Sequence, residues 1–293
     1  MKKIISLALA LIMIFAAMAT FTSCDLLDKI TGNNNSSNDE NENNENGDWN
    51  TIEERGFFYC GITVYAPMNY FDEDGNLTGF DTEFAKAVAA KLGVEAKFQI
   101  IDWPSKYMEL NSGSIDLIWN GFTYGEEKDG VSRTEYVDFT YSYLENRQCI
   151  ITTAAKAAEL NTKEAFAGKI GVAEGGSSGE AVAIELAGAE ENITAFDSQA
   201  AALLELVAGN ADFAVIDYQM AKAMVGQGDY ASLTINNAYE PESEVYAIGC
   251  RKGSDLTEKI NAAIKELSAD GTLAKLAEKY GLENDLIAEI GKK

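Results

Sequence analysis

Short β-rich runs alternate with helical ones along most of this chain, and the alternation starts afresh near residue 148. Repeated strand and helix units of this size build open α/β sheets, and the restart predicts two of them. The first series reads as a strand over 57–64, a tight turn at Asp74-Gly75, and a helix capped by Asp81. That helix places Phe84, Val88 and Leu92 on one face and ends at Gly93. A strand over 97–101, a short helix over 105–110 and a strand over 115–119 follow. The second series has strands over 149–153, 170–173, 193–196 and 213–217, with helices from Ser178 and over 198–208. A strand over 245–250 comes next, then one helix carrying Leu256, Ile260, Ile264 and Leu267 and another carrying Leu273, Leu276 and Tyr280. Ligands of open α/β sheets lie beyond the carboxyl ends of the strands. The loops after Val64, Trp119, Val172 and Ile216 are therefore where a site belongs.

Ahead of this body stand Lys2 and Lys3, an unbroken small and apolar run over 4–21, and Thr22-Ser23-Cys24. A comfortable membrane span needs about 20 apolar residues, so 1–23 reads as a secretory signal peptide. Residues 25–50 hold nine Asn and seven Asp or Glu. So polar and charged a stretch cannot bury enough surface to offset its ordering entropy, and 24–50 is expected to be a disordered tether, with the folded body starting near Asn50. Without the signal peptide the chain carries 21 basic and 47 acidic residues, a net charge of −26. Such a body repels phosphate backbones, which argues against nucleic-acid binding. No histidine is present, so zinc chemistry and histidine-based nucleophilic catalysis lose their usual ligand and base. Cys60, Cys149 and Cys250 leave room for one disulfide, and their spacing does not say which. Asp72, Asp74, Asn76, Thr78 and Glu83 have the spacing of a calcium loop, but Leu77 stands where that loop needs glycine. A hairpin turn accounts for them better, and no metal or cofactor is expected.

Two resemblances add to this reading. Ser23-Cys24 closing the apolar run resembles the lipobox of bacterial lipoproteins, which implies that Cys24 is lipidated and anchors an extracytoplasmic protein to a membrane. Phe21 departs from the Leu that is commoner there. In the body, Tyr65-Ala66-Pro67-Met68, Asp74-Gly75-Asn76-Leu77-Thr78-Gly79-Phe80-Asp81, Ile101-Asp102-Trp103 and Asp116-Leu117-Ile118-Trp119-Asn120-Gly121 together resemble the polar-amino-acid solute-binding proteins of bacterial ABC importers. Leu144-Glu145-Asn146-Arg147-Gln148, Gly168-Lys169-Ile170-Gly171-Val172, Gly176-Ser177-Ser178 and Ala211-Asp212-Phe213-Ala214-Val215-Ile216-Asp217 continue the resemblance in order, over roughly 52–285. It implies the two-lobe periplasmic-binding-protein fold of type II, each lobe an open α/β sheet, joined by two crossing hinge strands near 146–150 and 240–246. Lobe 1 is then discontinuous, 51–147 plus 245–293, and lobe 2 is 148–244.

The resemblance also implies a site for a zwitterion. An α-ammonium wants a carboxylate, and an α-carboxylate wants a guanidinium with backbone N–H groups at a helix start. Asp217 is implied for the ammonium, although it would also serve as a cap for the helix that follows. Ser177 and Ser178 open a helix toward the anion, and Gly121 and Thr123 add donors. The family's pattern puts the carboxylate-binding arginine five residues after the threonine, where Lys128 stands. Arg133-Thr134-Glu135-Tyr136-Val137-Asp138-Phe139 resembles what surrounds that arginine, so Arg133 is preferred because guanidinium grips a carboxylate with two parallel bonds. Lys128 stays the alternative. Tyr65 and Trp103 match positions whose rings flank the ligand, and Glu174 is placed to meet its side chain, favouring a cationic or amide-bearing ligand. The function implied is capture without chemistry by a monomer that delivers its amino acid to an ABC permease. A sensory module and a periplasmic dehydratase with Glu174 as general acid are the alternatives.

Overall fold

The structure, a computed structural model, describes residues 47–128 and 130–291, leaving the side chain of Lys128 aside. The signal peptide, Cys24 and nearly all of the tether lie outside the described residues. The body begins slightly earlier than expected. Helix Asp48–Arg55 buries Trp49 and Ile52, the Trp49 N–H donates to Asp255 at 3.0 Å, and Asp48 pairs with Arg251. An indole and an ion pair are enough to fold the last residues of a segment whose composition reads as a leash.

Two sheets carry the fold. The first runs in the order Glu95–Ile100, Phe57–Ile62, Leu117–Ile118, Gly249–Arg251, Val137–Phe139. Its first three strands are parallel, and Gly249–Arg251 is antiparallel to both neighbours. The second runs Ile193–Phe196, Gly171–Glu174, Phe213–Asp217, Leu144–Thr153, Leu233–Asn236, again with three parallel strands. Strand Leu144–Thr153 is longer than the others because it belongs to two places. Residues 144–147 pair with Ser243–Tyr246, while 148–151 pair with Phe213–Asp217. The chain thus crosses between the sheets twice, once along each partner of this antiparallel ribbon.

The two-residue period of a strand explains how helices cover the second sheet. Val172, Ala214 and Ile216 pack with Ala202, Leu203 and Leu206 of helix Gln199–Ala208. Their neighbours Ala173, Phe213 and Val215 pack with Ala183, Leu186 and Ala187 of helix Ser178–Ala187. In the first sheet, Phe58, Cys60, Ile62 and Leu117 join Phe84 and Val88 of helix Phe80–Leu92. Phe84 meets the Trp119 ring edge-on at 5.1 Å, and truncating it to alanine would cost about 3–5 kcal/mol.

Several expectations need correction. The run over 245–250 is two strands in two pairings, because Ala247 N–H turns to the Phe122 carbonyl and Ile248 N–H to the Thr140 hydroxyl between them. Asp81 is not a cap: helix Phe80–Leu92 begins one residue before it, and its buried carboxylate accepts from Gly121 N–H at 2.7 Å and Tyr143 Oη at 3.0 Å. Burial pushes that carboxyl up to about 7, against the pull of those donors. The calcium-like residues form the hairpin turn. Asp72 accepts from the N–H groups of Asp74 and Asn76, at 3.0 and 2.8 Å, and Glu83 holds Lys279 at 2.6 Å. Cys60, Cys149 and Cys250 are buried and joined by no disulfide.

Candidate functional site

A small cavity of about 10 Å³ lies between the carboxyl ends of the strands of the two sheets. It is lined by Trp103, Asn120, Gly121, Thr123, Arg133, Glu174, Ser177, Ser178, Gln199 and Asp217. Eight of the nine residues that the sequence points to are on this wall. Tyr65 is the ninth, and it stands behind Gly121. Its hydroxyl bonds that of Tyr246 at 2.6 Å. Gly121 has φ +57, and a Cβ there would lie 2.7 Å from the Tyr65 ring, so only glycine lets the chain turn against that ring.

Asp217 ends strand Phe213–Asp217, fully inside. Although it precedes helix Tyr218–Met224, its side chain makes no capping bond. One oxygen accepts from Asn146 at 2.6 Å and Gln148 at 2.9 Å, and the other accepts from Gln199. Gln199 in turn accepts from the Asp217 N–H at 2.9 Å. These partners are neutral, so burial keeps the carboxyl above its ordinary range despite them. Asn146 and Gln148 also donate to Glu244. Burial, and then the charge of Asp217, push Glu244 up to about 8. Both amides lie on one crossing strand and Glu244 on the other, so the acidic end of the cavity is fastened to the hinge ribbon.

The opposite end is built around Arg133. The residues between Thr123 and Arg133 form a small hairpin, Glu127–Lys128 with Val131–Ser132, that returns the chain to where it left. Arg133 N–H then donates to the Glu126 carbonyl at 2.8 Å, and Nη1 donates to the Thr123 carbonyl at 3.1 Å. Nη2 pairs with the Glu126 carboxylate, and the guanidinium lies 4.8 Å from the Phe122 ring centre. The hairpin thus returns Arg133 to the cavity wall beside Thr123.

Helix Ser178–Ala187 points its start at the cavity. Ser177 is its cap, accepting from Glu180 N–H at 3.1 Å and donating to the Glu174 carbonyl at 2.7 Å. Glu180 reaches back to Gly176 N–H at 2.9 Å. Ser178 has a different task, donating to the Thr123 hydroxyl at 3.2 Å across the cleft. Lys106 also crosses it, donating to the Gly176 carbonyl at 3.0 Å. Gly179 is needed because a Cβ would lie 2.8 Å from the Val215 carbonyl, which would push the helix off its strand.

Glu174 ends strand Gly171–Glu174, is 3% exposed, and its Oε1 has no hydrogen-bond partner. Burial pushes its carboxyl up to about 8. Sequence reasoning missed Asn120, Gln199, Asn146, Gln148 and Glu244. Asn120 locks two strand ends together, accepting from the N–H and hydroxyl of Thr63 at 2.9 and 2.8 Å and donating to the Thr63 carbonyl at 3.0 Å. It lay inside the motif that pointed to Gly121, which was the available signal.

Residues 60–283 match the family of bacterial extracellular solute-binding proteins, family 3. The L-cystine-binding protein TcyJ of Escherichia coli (strain K12) is 29% identical over 234 residues, 79% of this chain and 85% of TcyJ. A solved ancestral arginine-binding protein bound to arginine superposes with a TM-score of 0.70 at 35% identity, covering 77% of this chain and 98% of that one. The ancestral amino acid-binding protein AncCDT-1, a precursor of cyclohexadienyl dehydratase, gives 0.68 at 29% identity over 78% of this chain and 97% of its own. The two-lobe architecture and the amino-acid-binding class are therefore properties of this chain's family. Among the described residues no helix is long and apolar enough to cross a membrane.

Proposed function

We propose, from the premise that this chain belongs to the bacterial extracellular solute-binding proteins of family 3, that it captures a polar amino acid as a zwitterion and hands it to the permease of an ABC importer. The observation that carries the reading is one cavity with Asp217 on one wall and Arg133 on another, enclosed by residues from both sheets. The α-ammonium meets Asp217, whose bound amides orient the carboxylate without cancelling its charge. The α-carboxylate meets Arg133 and the N–H groups at the start of helix Ser178–Ala187, where the first turn has no internal acceptors. Trp103 covers the aliphatic part of the ligand. Charge-assisted bonds contribute about 1.5–3 kcal/mol each, so three of them with ring contacts reach about 8 kcal/mol, a micromolar Kd.

Closure follows from where these groups lie. Thr123 and Lys106 belong to the first sheet's side, Ser178 and Gly176 to the second, and their bonds form only when the lobes meet. A ligand that bridges Arg133 and Asp217 adds attraction to the closed form alone and shifts the population toward it. The closed form is then what docks on the permease. The lobes divide as 51–147 plus 245–293 and 148–244. Lipid on Cys24 holds the protein at the membrane, and Cys24→Ala is expected to release it into the soluble fraction.

The test is thermal melting against the twenty common amino acids and cystine at millimolar concentration. A ligand at about 100 times its Kd stabilises by about 2.7 kcal/mol, a shift of a few degrees. Stabilisation by one chemical class, lost in Asp217→Ala, supports the reading. No shift with any of them overturns it. The likeness to a dehydratase precursor and the raised Glu174 favour one rival, an enzyme with Glu174 as acid. That rival requires the bound compound to be consumed, whereas a carrier returns it unchanged.

A further inference from the structure

We infer that Glu174 chooses the ligand's side chain, and that the site takes an amino acid bearing a second cationic group, an ammonium or a guanidinium, which docks on this carboxylate. The inference rests on the amino-acid reading above and adds the class of side chain. Glu174 lines the same cavity as Asp217 and Arg133, and its Oε1 is an acceptor with nothing to accept from.

Nearby donors do not fill the gap. Thr63 and Gln199 stand beside the Glu174 carboxyl. Both hydrogen-bond to the carboxyl, while the Thr63 hydroxyl also faces Asn120 at 2.8 Å and the Gln199 amide also donates to Asp217, and Oε1 is still left without a partner. Lys106 is the cation whose charge reaches Glu174, and its ammonium donates to the carbonyls of Trp103 at 3.2 Å and Gly176 at 3.0 Å. The charge of Asp217 repels the Glu174 carboxylate.

The charge balance points the same way. Around the cavity, the cations Arg133 and Lys106 face the acidic side chains of Asp217, Glu174, Glu244 and Glu126, and burial raises Glu174 and Glu244 to about 8, so both hold protons near neutral pH. A zwitterion brings no net charge to these acids. A ligand with a third charged group, positive, stabilises the ionised form of Glu174 and supplies the donor that its Oε1 lacks. An uncompensated buried carboxylate is costly, and the same cost becomes discrimination against any ligand that leaves it unpaired. Thr123 and Ser178 line both the cavity and a wider hollow whose wall includes Glu126, Glu127, Glu145, Glu185, Glu242 and Glu244, so the approach also favours cations.

The experiment is calorimetric titration of the purified protein with L-arginine, L-lysine, L-glutamine, cystine and L-citrulline, the last being the uncharged counterpart of arginine. Arginine or lysine is expected to bind at least about thirtyfold more tightly than citrulline and glutamine. Glu174→Gln is expected to bring the preference within about threefold. The preference for arginine over citrulline should also grow as pH rises from 6 to 8, approaching tenfold per unit, because Glu174 must lose its proton to receive the cation. It should be flat in Glu174→Gln. The ratio cancels what happens at the α-groups and at Asp217, which both ligands share. A wild-type preference for a neutral amino acid, or a preference unchanged in Glu174→Gln, overturns this inference and leaves the amino-acid reading standing. Binding of none of the panel overturns both.

Discussion

At one end of the cavity a buried carboxylate, Asp217, is held by the neutral amides of Asn146, Gln148 and Gln199, while at the other a buried guanidinium, Arg133, already grips the carboxylate of Glu126 and rests on the ring of Phe122. Neutral donors fix geometry and leave the charge to act on a newcomer. An ionic partner neutralises the charge and must be displaced or shared. In the proposed binding mode the acidic end is thus ready for an ammonium, and the basic end exchanges one carboxylate for another. The two ends also differ in what they are tied to. Asp217 shares its amides with Glu244 on the crossing ribbon, whereas Arg133 sits behind a surface hairpin.

Breaking the acidic end should have the larger effect. Asp217→Ala removes the ammonium's partner and strands three buried amide donors, and a loss of about 3–5 kcal/mol, more than a hundredfold in Kd, is expected by calorimetry. Arg133→Ala should cost about 2–3 kcal/mol, because the start of helix Ser178–Ala187 still faces the ligand carboxylate. Arg133→Lys should recover only part of it.

A pH series on the empty protein sharpens the contrast further. Burial pushes Glu244 up to about 8, and Asp81 up to about 7, so the folded chain keeps protons that the unfolded chain gives up near 4. Stability then falls as pH rises, over the window from about 4 to about 8. Between pH 5 and 8 the two groups together give an expected loss of about 6 kcal/mol, read as a fall in Tm, and Glu244→Gln should remove about half of it. A rise in Tm across that range would contradict the assignment. The smallest effect belongs to Glu126→Gln, which frees Arg133 and should tighten ligand binding by about 1 kcal/mol, three- to tenfold. Weaker binding instead would mean that Glu126 serves the ligand.

Legibility in the sequence followed the range of the interactions. Strand and helix periodicity is local, so the sheets and the helices from Ser178 and over 198–208 could be read from neighbours in the chain. The site residues at strand ends came with them, since Asp217, Glu174 and Gly121 each sit where a parallel strand stops. Asn146, Gln148 and Glu244 could not be read, because what gives them a role is a partner 69 to 98 residues away. Asp81 misled for the complementary reason. An acid at a helix start has a local explanation, capping, and the structure uses it for a distant one, holding Gly121 at the cavity. The run over 245–250 hides its switch between sheets because Tyr246, Ala247, Ile248 and Cys250 are all buried on both sides of it.

The most direct test of the claim that Asp217 receives the α-ammonium is a cycle of calorimetric titrations. Wild type and Asp217→Ala are each titrated with the amino acid that stabilises the protein most and with its α-deaminated analogue. The variant is expected to lose more than about a hundredfold toward the parent compound and no more than about threefold toward the analogue, since the analogue has nothing to offer the missing carboxylate. Equal losses toward both compounds would show that Asp217 supports the cavity without touching the ammonium, and would contradict the account.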